Sequence, residues 1–147
     1  MTHKELIQKY PKIFQMYKGN PSGVNWGIPN AWIPVVDSLC GAIQRYIDGV
    51  SRWDKEKKDW VHPPQVTCVQ MKEKFGGLRF YINGGNDHIE GMISMAEHMC
   101  YNMCQHCGTK ENLGVTDGWI TICCKDCSKE STNWKPINSP TDESKVL

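Results

Sequence analysis

The chain has 147 residues, with 17 Lys and Arg against 16 Asp and Glu and a formal net charge of +1. That length supports one domain with a real core, or a small domain plus an appendage. The near-zero charge removes any global electrostatic case for nucleic acid or a membrane surface, and no run approaches the roughly 18 apolar residues of a membrane span.

Charge is nevertheless uneven. Residues 1–18 carry four lysines against Glu5, and residues 43–80 carry eight Lys and Arg against five acids. Residues 81–99 hold Asp87, Glu90 and Glu97 and no Lys or Arg. The opening "MTHKELIQKYPK" lacks the apolar stretch of a secretory signal, so the sequence predicts a protein of a reducing cytoplasm. In that setting eight cysteines point to metal ligands or buried thiols rather than disulfides.

In chain order, Leu6, Tyr10, Ile13 and Phe14 give residues 3–18 a helical spacing, interrupted at Pro11. Residues 19–30, dense in Gly, Pro and Asn, predict a loop, with Asn30 as the N-cap of the next helix. Residues 31–47 form the most apolar helix. Trp32, Val35, Val36, Leu39, Cys40, Ile43 and Ile47 make one stripe, and Pro34 sits in the first turn. Residues 48–64 are polar and predict a loop or a fringe of helix, in which Trp53 and Trp60 must anchor on something.

Residues 65–83 predict a β-hairpin turning at Gly76-Gly77. Leu78, Phe80 and Ile82 alternate with Arg79, Tyr81 and Asn83. Asp87 or Asn86 then caps a helix to about residue 103, with Ile89, Ile93, Ala96 and Met99 or Cys100 buried.

Cys104-Gln-His-Cys107 and Cys124-Lys-Asp-Cys127 are two C-x2-C pairs separated by sixteen residues. Each such turn brings two sulfurs to neighbouring corners of a tetrahedron, so the four cysteines read as the ligands of a structural Zn²⁺. Gly108 suits the turn after the first pair, and Asp117-Gly118 predicts a two-residue hairpin that returns the second pair to the first. Four thiolates leave no open position for catalytic water, and His106 is expected outside the ligand set. Cys123, one position before the second pair, is expected to pack as a small buried residue or to stand as a reactive spare if exposed.

The expected architecture is therefore α+β. N-terminal helices pack on a β-hairpin or small antiparallel sheet, followed by a central helix and a C-terminal zinc-ribbon or treble-clef-like unit. The divisions fall at 1–103 for the core, 104–128 for the metal unit and 129–147 for a flexible tail, with a docking role open for Trp134. On the exposed face of the hairpin, Lys72, Lys74, Arg79 and Tyr81 have the chemistry to cradle a phosphate or stack a base, although such a face is also what an ordinary solvated sheet presents.

The segments "KEKFGGLRFYINGG", "CQHCG" and "GWITICCKDC", with a helix between the first two, resemble a set of small uncharacterised proteins of bacteria and their phages. The resemblance spans roughly residues 66–127 and suits "WIPVVDSLC" at 32–40. It implies a bacterial or viral protein, in the host cytoplasm if viral, and implies no activity or catalytic residue.

No nucleophile elbow, phosphate loop, dinucleotide fingerprint or zinc-protease motif is present. Asp87 and Glu90 are explained by the first turn of a helix. His62, His88 and His98 share no spacing that demands a site, and Cys40 and Cys68 are expected as inert core thiols. The leading expectation is a non-catalytic binding protein for a nucleotide or nucleic acid, and in a phage a counter-defence protein that sequesters a nucleotide signal. The alternatives are a protein–protein adaptor or inhibitor, with six tryptophans as hot spots, and an unrecognised enzyme such as a nuclease.

Overall fold

Thr2 starts the first helix, α1 (His3–Lys9), with a capping box: its hydroxyl accepts from the Glu5 N–H at 3.2 Å, and its own N–H donates to Glu5 Oε2 at 2.6 Å. Pro11 ends the helix. A turn and a 3₁₀ segment (Gln15–Tyr17) follow, with Ile13 and Phe14 fully buried. The structure is a computed structural model and describes residues 1–17, 27–128 and 133–137. The loop expected over 19–30 therefore lies outside the described residues except for its last positions.

Helix α2 (Ile33–Gly49) buries the stripe read from the sequence: Val35, Val36, Leu39, Cys40, Ile43 and Ile47. Its entry differs from the expectation. Asn30 opens a 3₁₀ turn (Asn30–Trp32) and takes part through its carbonyl, which accepts from the Ile33 N–H; no side chain caps α2. Pro34 lies in the first turn, where its missing N–H removes no helical hydrogen bond. Lys9 and Tyr10 tie α1 to α2: the Lys9 ammonium lies 2.8 Å from Asp37 Oδ1, and the Tyr10 hydroxyl donates to the same carboxylate at 2.6 Å.

The polar stretch 48–64 holds a second hairpin rather than a loop or helix fringe. Strands β1 (Arg52–Asp54) and β2 (Asp59–Val61) pair with Trp53 opposite Trp60. The two indoles meet edge to face at 5.7 Å, and the Asp54 carboxylate accepts from the Glu56 and Lys57 N–H groups to shape the turn. The two residues are 51% and 59% exposed, so they anchor on each other at the surface. Such a pair stabilises a short two-stranded ribbon that is otherwise marginal in water.

The main hairpin is β3 (Thr67–Lys74) and β4 (Gly77–Asn83). Its turn sits one residue earlier than predicted. Phe75 and Gly76 are the turn residues, with φ of 52° and 83°, and Gly77 already pairs with Lys74. A bulge between Cys68 and Gln70 resets the alternation. Both outer edges are partly covered. On β3, Cys68 and Glu73 donate to the Ile13 and Gly27 carbonyls, each at 2.7 Å. On β4, Phe80 donates to Glu97 Oε1 at 3.1 Å.

Asn86, not Asp87, caps α3 (Asp87–Tyr101), accepting from the Ile89 N–H at 3.1 Å. Its buried side is Ile89, Ile93, Ala96 and Cys100, whereas Met99 faces out. Helices α2 and α3 and the apolar face of β3–β4 (Cys68, Met71, Leu78, Phe80) close one core. No described helix is long and apolar enough to cross a membrane.

The C-terminal unit is a three-stranded antiparallel sheet in the order β6-β5-β7. Strands β5 (Leu113–Thr116) and β6 (Ile122–Cys124) are joined by a loop longer than the two residues expected. Thr116 donates to the Thr121 carbonyl, so Asp117 and Gly118 share the loop with Trp119 and Ile120. Strand β7 (Trp134–Pro136) falls in the stretch read as a flexible tail, so the sheet extends past residue 128. The other tail positions, 129–132 and 138–147, lie outside the described residues.

Candidate metal centre and the basic sheet face

The C-terminal end of α3 delivers Cys104, fully buried, and the next turn delivers Cys107 at the surface. The Gly108 N–H donates to the Cys104 carbonyl at 2.9 Å, and Gly108 adopts φ 78°, the left-handed conformation a knuckle requires. Strand β6 ends on Cys124. The turn after it repeats the pattern: the Ser128 N–H donates to the Cys124 carbonyl, and the Cys127 N–H points at Cys124 Sγ at 3.4 Å. The two knuckles are held together by Gln105, whose N–H donates to the Ile122 carbonyl at 3.0 Å.

The result is that the sulfurs of Cys104, Cys107, Cys124 and Cys127 all lie within 4.8 Å of one another. The Cys107 and Cys124 sulfurs are 3.8 Å apart. That is the edge of a tetrahedron with metal–sulfur bonds of about 2.3 Å. The cluster can hold a metal ion, and its four donors are those expected from the spacing. His106 is exposed and outside it.

The thiols are poised unequally. Burial raises Cys104, but N–H groups of Cys107, Cys124 and His106 outweigh it and bring it down to about 6. Cys127 is pushed up to about 12 by sharing a proton with the Cys124 sulfur and by burial. A cation held by all four as thiolates would displace the protons they carry. Cys123 is buried beside Cys104 and Cys124 under Trp134, whose indole N–H donates to the Cys123 carbonyl at 3.0 Å. Its thiol is raised, first by burial. Cys123 is therefore packing material rather than a spare reactive thiol. Burial likewise holds Cys40 well above the ordinary thiol range and pushes Cys68 and Cys100 up to about 12.

The β3–β4 register decides the second group. Lys72 stands directly opposite Arg79, Gln70 opposite Tyr81, and Lys74 opposite Gly77. All four residues singled out from the sequence share this face. The Lys72 ammonium lies 5.9 Å from the Tyr81 ring centre, and Lys74 lies 5.7 Å from that of Phe75. Arg79 folds back so that Nη1 donates to the Leu78 carbonyl at 3.0 Å, and its charge lowers Tyr101 against the larger upward push of burial. None of the three cations forms an ion pair among the described residues, where the salt bridges join Lys9 to Asp37, Lys12 to Asp48 and Lys135 to Asp117.

The remaining histidines have structural surroundings. His62 Nδ1 lies 3.0 Å from the Val50 carbonyl oxygen, His88 stacks on Tyr46 at 4.3 Å, and His98 adjoins the Asn102 amide. Sequence reasoning missed Phe75 and Trp119 as exposed aromatic side chains, 65% and 82% accessible, at the tips of the main hairpin and of the β5–β6 loop. The chain matches no family model, no curated protein and no solved structure.

Proposed function

We propose that the protein is a non-catalytic, zinc-stabilised binding protein that takes a nucleotide or nucleic acid on the basic and aromatic face of β3–β4. The observation that carries this reading is the cross-strand pair of Lys72 and Arg79, flanked by Tyr81 and Lys74, with no carboxylate neutralising it among the described residues. Unpaired cations side by side repel one another, and a phosphate relieves that cost. Arg supplies a planar fork for phosphate oxygens, and Tyr a ring for a base. The chain as a whole is close to neutral, and a Zn²⁺ on four thiolates moves it from +1 to about −1, so attraction is local to this face. Zinc is the metal that four thiolates in a tetrahedral arrangement favour, and a closed shell makes its role structural. The counter-defence setting belongs to the same proposal and rests on the resemblance to phage proteins.

Absorbance of the purified full-length chain at 260 and 280 nm, with mass spectrometry of anything released, tests the reading. Bound nucleotide is expected, and Arg79→Ala is expected to abolish uptake while native mass spectrometry still finds one zinc per chain. Uptake by Arg79→Ala at the wild-type level would remove this face from consideration. A second reading, a protein–protein adaptor, is favoured by the Trp53–Trp60 pair, because paired exposed indoles on a short ribbon suit an interface anchor.

A further inference from the structure

We infer that the ligand is a single-stranded nucleic acid whose track leaves the sheet face, passes over Phe75 at the hairpin turn and ends on Trp119 of the metal unit. The inference rests on the reading above that the β3–β4 face takes a nucleotide or nucleic acid, and it adds Phe75 and Trp119 as base-stacking residues.

The face is longer than one nucleotide. Tyr81 and Gly77 are four residues apart on β4, about 13 Å at ~3.3 Å per residue. Lys72 and Arg79 lie between them, Lys74 pairs with Gly77, and Phe75 lies beyond. A lone nucleotide offers one base and one phosphate group at one place. A single strand offers a repeat of both along this line.

Phe75 is both strained and exposed. It holds φ 52°, a conformation in which Gly or Asn is cheaper and a bulky ring is an outlier. Burial does not compensate, since the side chain is 65% exposed, and the Lys74 ammonium sits over its ring. A strained residue that displays its ring to solvent has the character of a contact residue.

The two tips meet. A Cβ on Gly76 would lie 2.9 Å from Ile122 Cγ1 and 3.4 Å from Ile120 Cγ2, so the hairpin turn is seated directly on the β5–β6 loop. Phe75 and Trp119 are each the neighbour of a residue in that contact. Trp119, 82% exposed, is presented on a fixed loop: the Thr116 hydroxyl donates to the Trp119 carbonyl at 2.8 Å and accepts from the Thr121 N–H at 3.0 Å. Two rings beside cations that form no ion pair among the described residues make a sequence-tolerant stacking platform. The C-terminal unit then has a part in binding, because its β5–β6 hairpin carries the loop that presents Trp119.

Fluorescence anisotropy of the zinc-loaded full chain with labelled 12-nucleotide thymidine and uridine oligomers, and with dTMP as competitor, provides the test. At least one oligomer is expected to bind, with log affinity falling against log salt with a slope of about −2 for three phosphate-neutralising cations. Phe75→Ala and Trp119→Ala are each expected to weaken it roughly tenfold. Phe75→Gly separates stacking from folding: it should raise Tm by relieving the turn and still lose binding. The inference is overturned if Phe75→Gly and Trp119→Ala bind at wild-type affinity, or if dTMP competes as well per mole as the oligomer. In either case the sheet-face reading survives provided Arg79→Ala abolishes binding. Loss of binding in Trp60→Ala but not in Phe75→Gly would also overturn it, by moving the platform to the other hairpin. A wild-type chain that binds neither oligomer nor dTMP overturns both readings.

Discussion

Around Trp32, Ile43, Leu78 and Phe80 the interior is carbon packed on carbon, drawn from α1, α2, β3, β4 and α3. Beneath β5 and β6 the buried cluster is Cys104, Cys123 and Cys124, helped by the partly buried Leu113, Cys127 and Trp134. Each fully buried large apolar side chain contributes about 1.5–3 kcal/mol, so the first region can hold itself together by burial. The second has far less to bury: Cys104, Cys123, Cys124 and Ile122, with a few flanking groups, are a small interior for three short strands. The difference teaches that the two regions are built differently: one closes on apolar side chains, and the other gathers four cysteines that can hold a metal ion.

The largest expected effect tests that division. Cys127→Ser, or exhaustive chelation of the wild type, removes a contribution on the order of 10 kcal/mol from the C-terminal unit. Amide NMR signals of β5, β6 and β7 should collapse toward random-coil positions. Methyl signals of Ile43, Leu78 and Val36 should stay dispersed. Joint collapse of both sets would show one cooperative unit, in which the seat of Gly76 on Ile122 couples the regions more tightly than their separate interiors suggest.

The converse substitution is Trp32→Ala. Trp32 is fully buried, and its removal should cost about 3–5 kcal/mol in denaturant melts while one zinc remains bound by native mass spectrometry. Its indole N–H has no hydrogen-bond partner among the described residues. Trp32→Phe should therefore cost clearly less than its lost volume implies, because it also deletes an unpaired donor.

The same contrast governs what could be read from the sequence. The core announced itself by period: the α2 stripe and the alternation of Leu78 and Phe80 follow from burial alone. The four clustered cysteines announced themselves by spacing, since two C-x2-C turns fix which sulfurs can meet. What stayed hidden depends on neither. The β1–β2 ribbon is polar and held by one Trp pair across the strands, which no local period encodes. The turn at Phe75–Gly76 violates the preference that placed it at Gly76–Gly77, because the register of Lys72 with Arg79 and the seat on Ile122 outweigh a local φ cost. Strand β7 is three residues with a proline, and only a tertiary fit defines it: a Cβ on Gly114 would run into the Trp134 ring. Trp134 in a polar stretch and Gly114 within a strand were the available hints.

The smallest expected effect concerns Gln105, the buried polar side chain inside the first knuckle. Its amide nitrogen has no partner among the described residues, although its backbone N–H ties the two knuckles together. An unpaired buried amide is a cost, and an apolar side chain of similar volume removes it. If the second region owes its stability to the metal alone, Gln105→Met should leave zinc affinity unchanged and raise Tm slightly, or leave it unaltered. The opposite result would be more informative. A fall in zinc affinity, measured by competition with a chromogenic chelator, would mean that the amide donates to a thiolate once the metal is bound. Such donors around a charged sulfur tune the metal they surround. In that case the second region would hold a polar support of its own, and the line between a built-in core and a bound one would pass through Gln105.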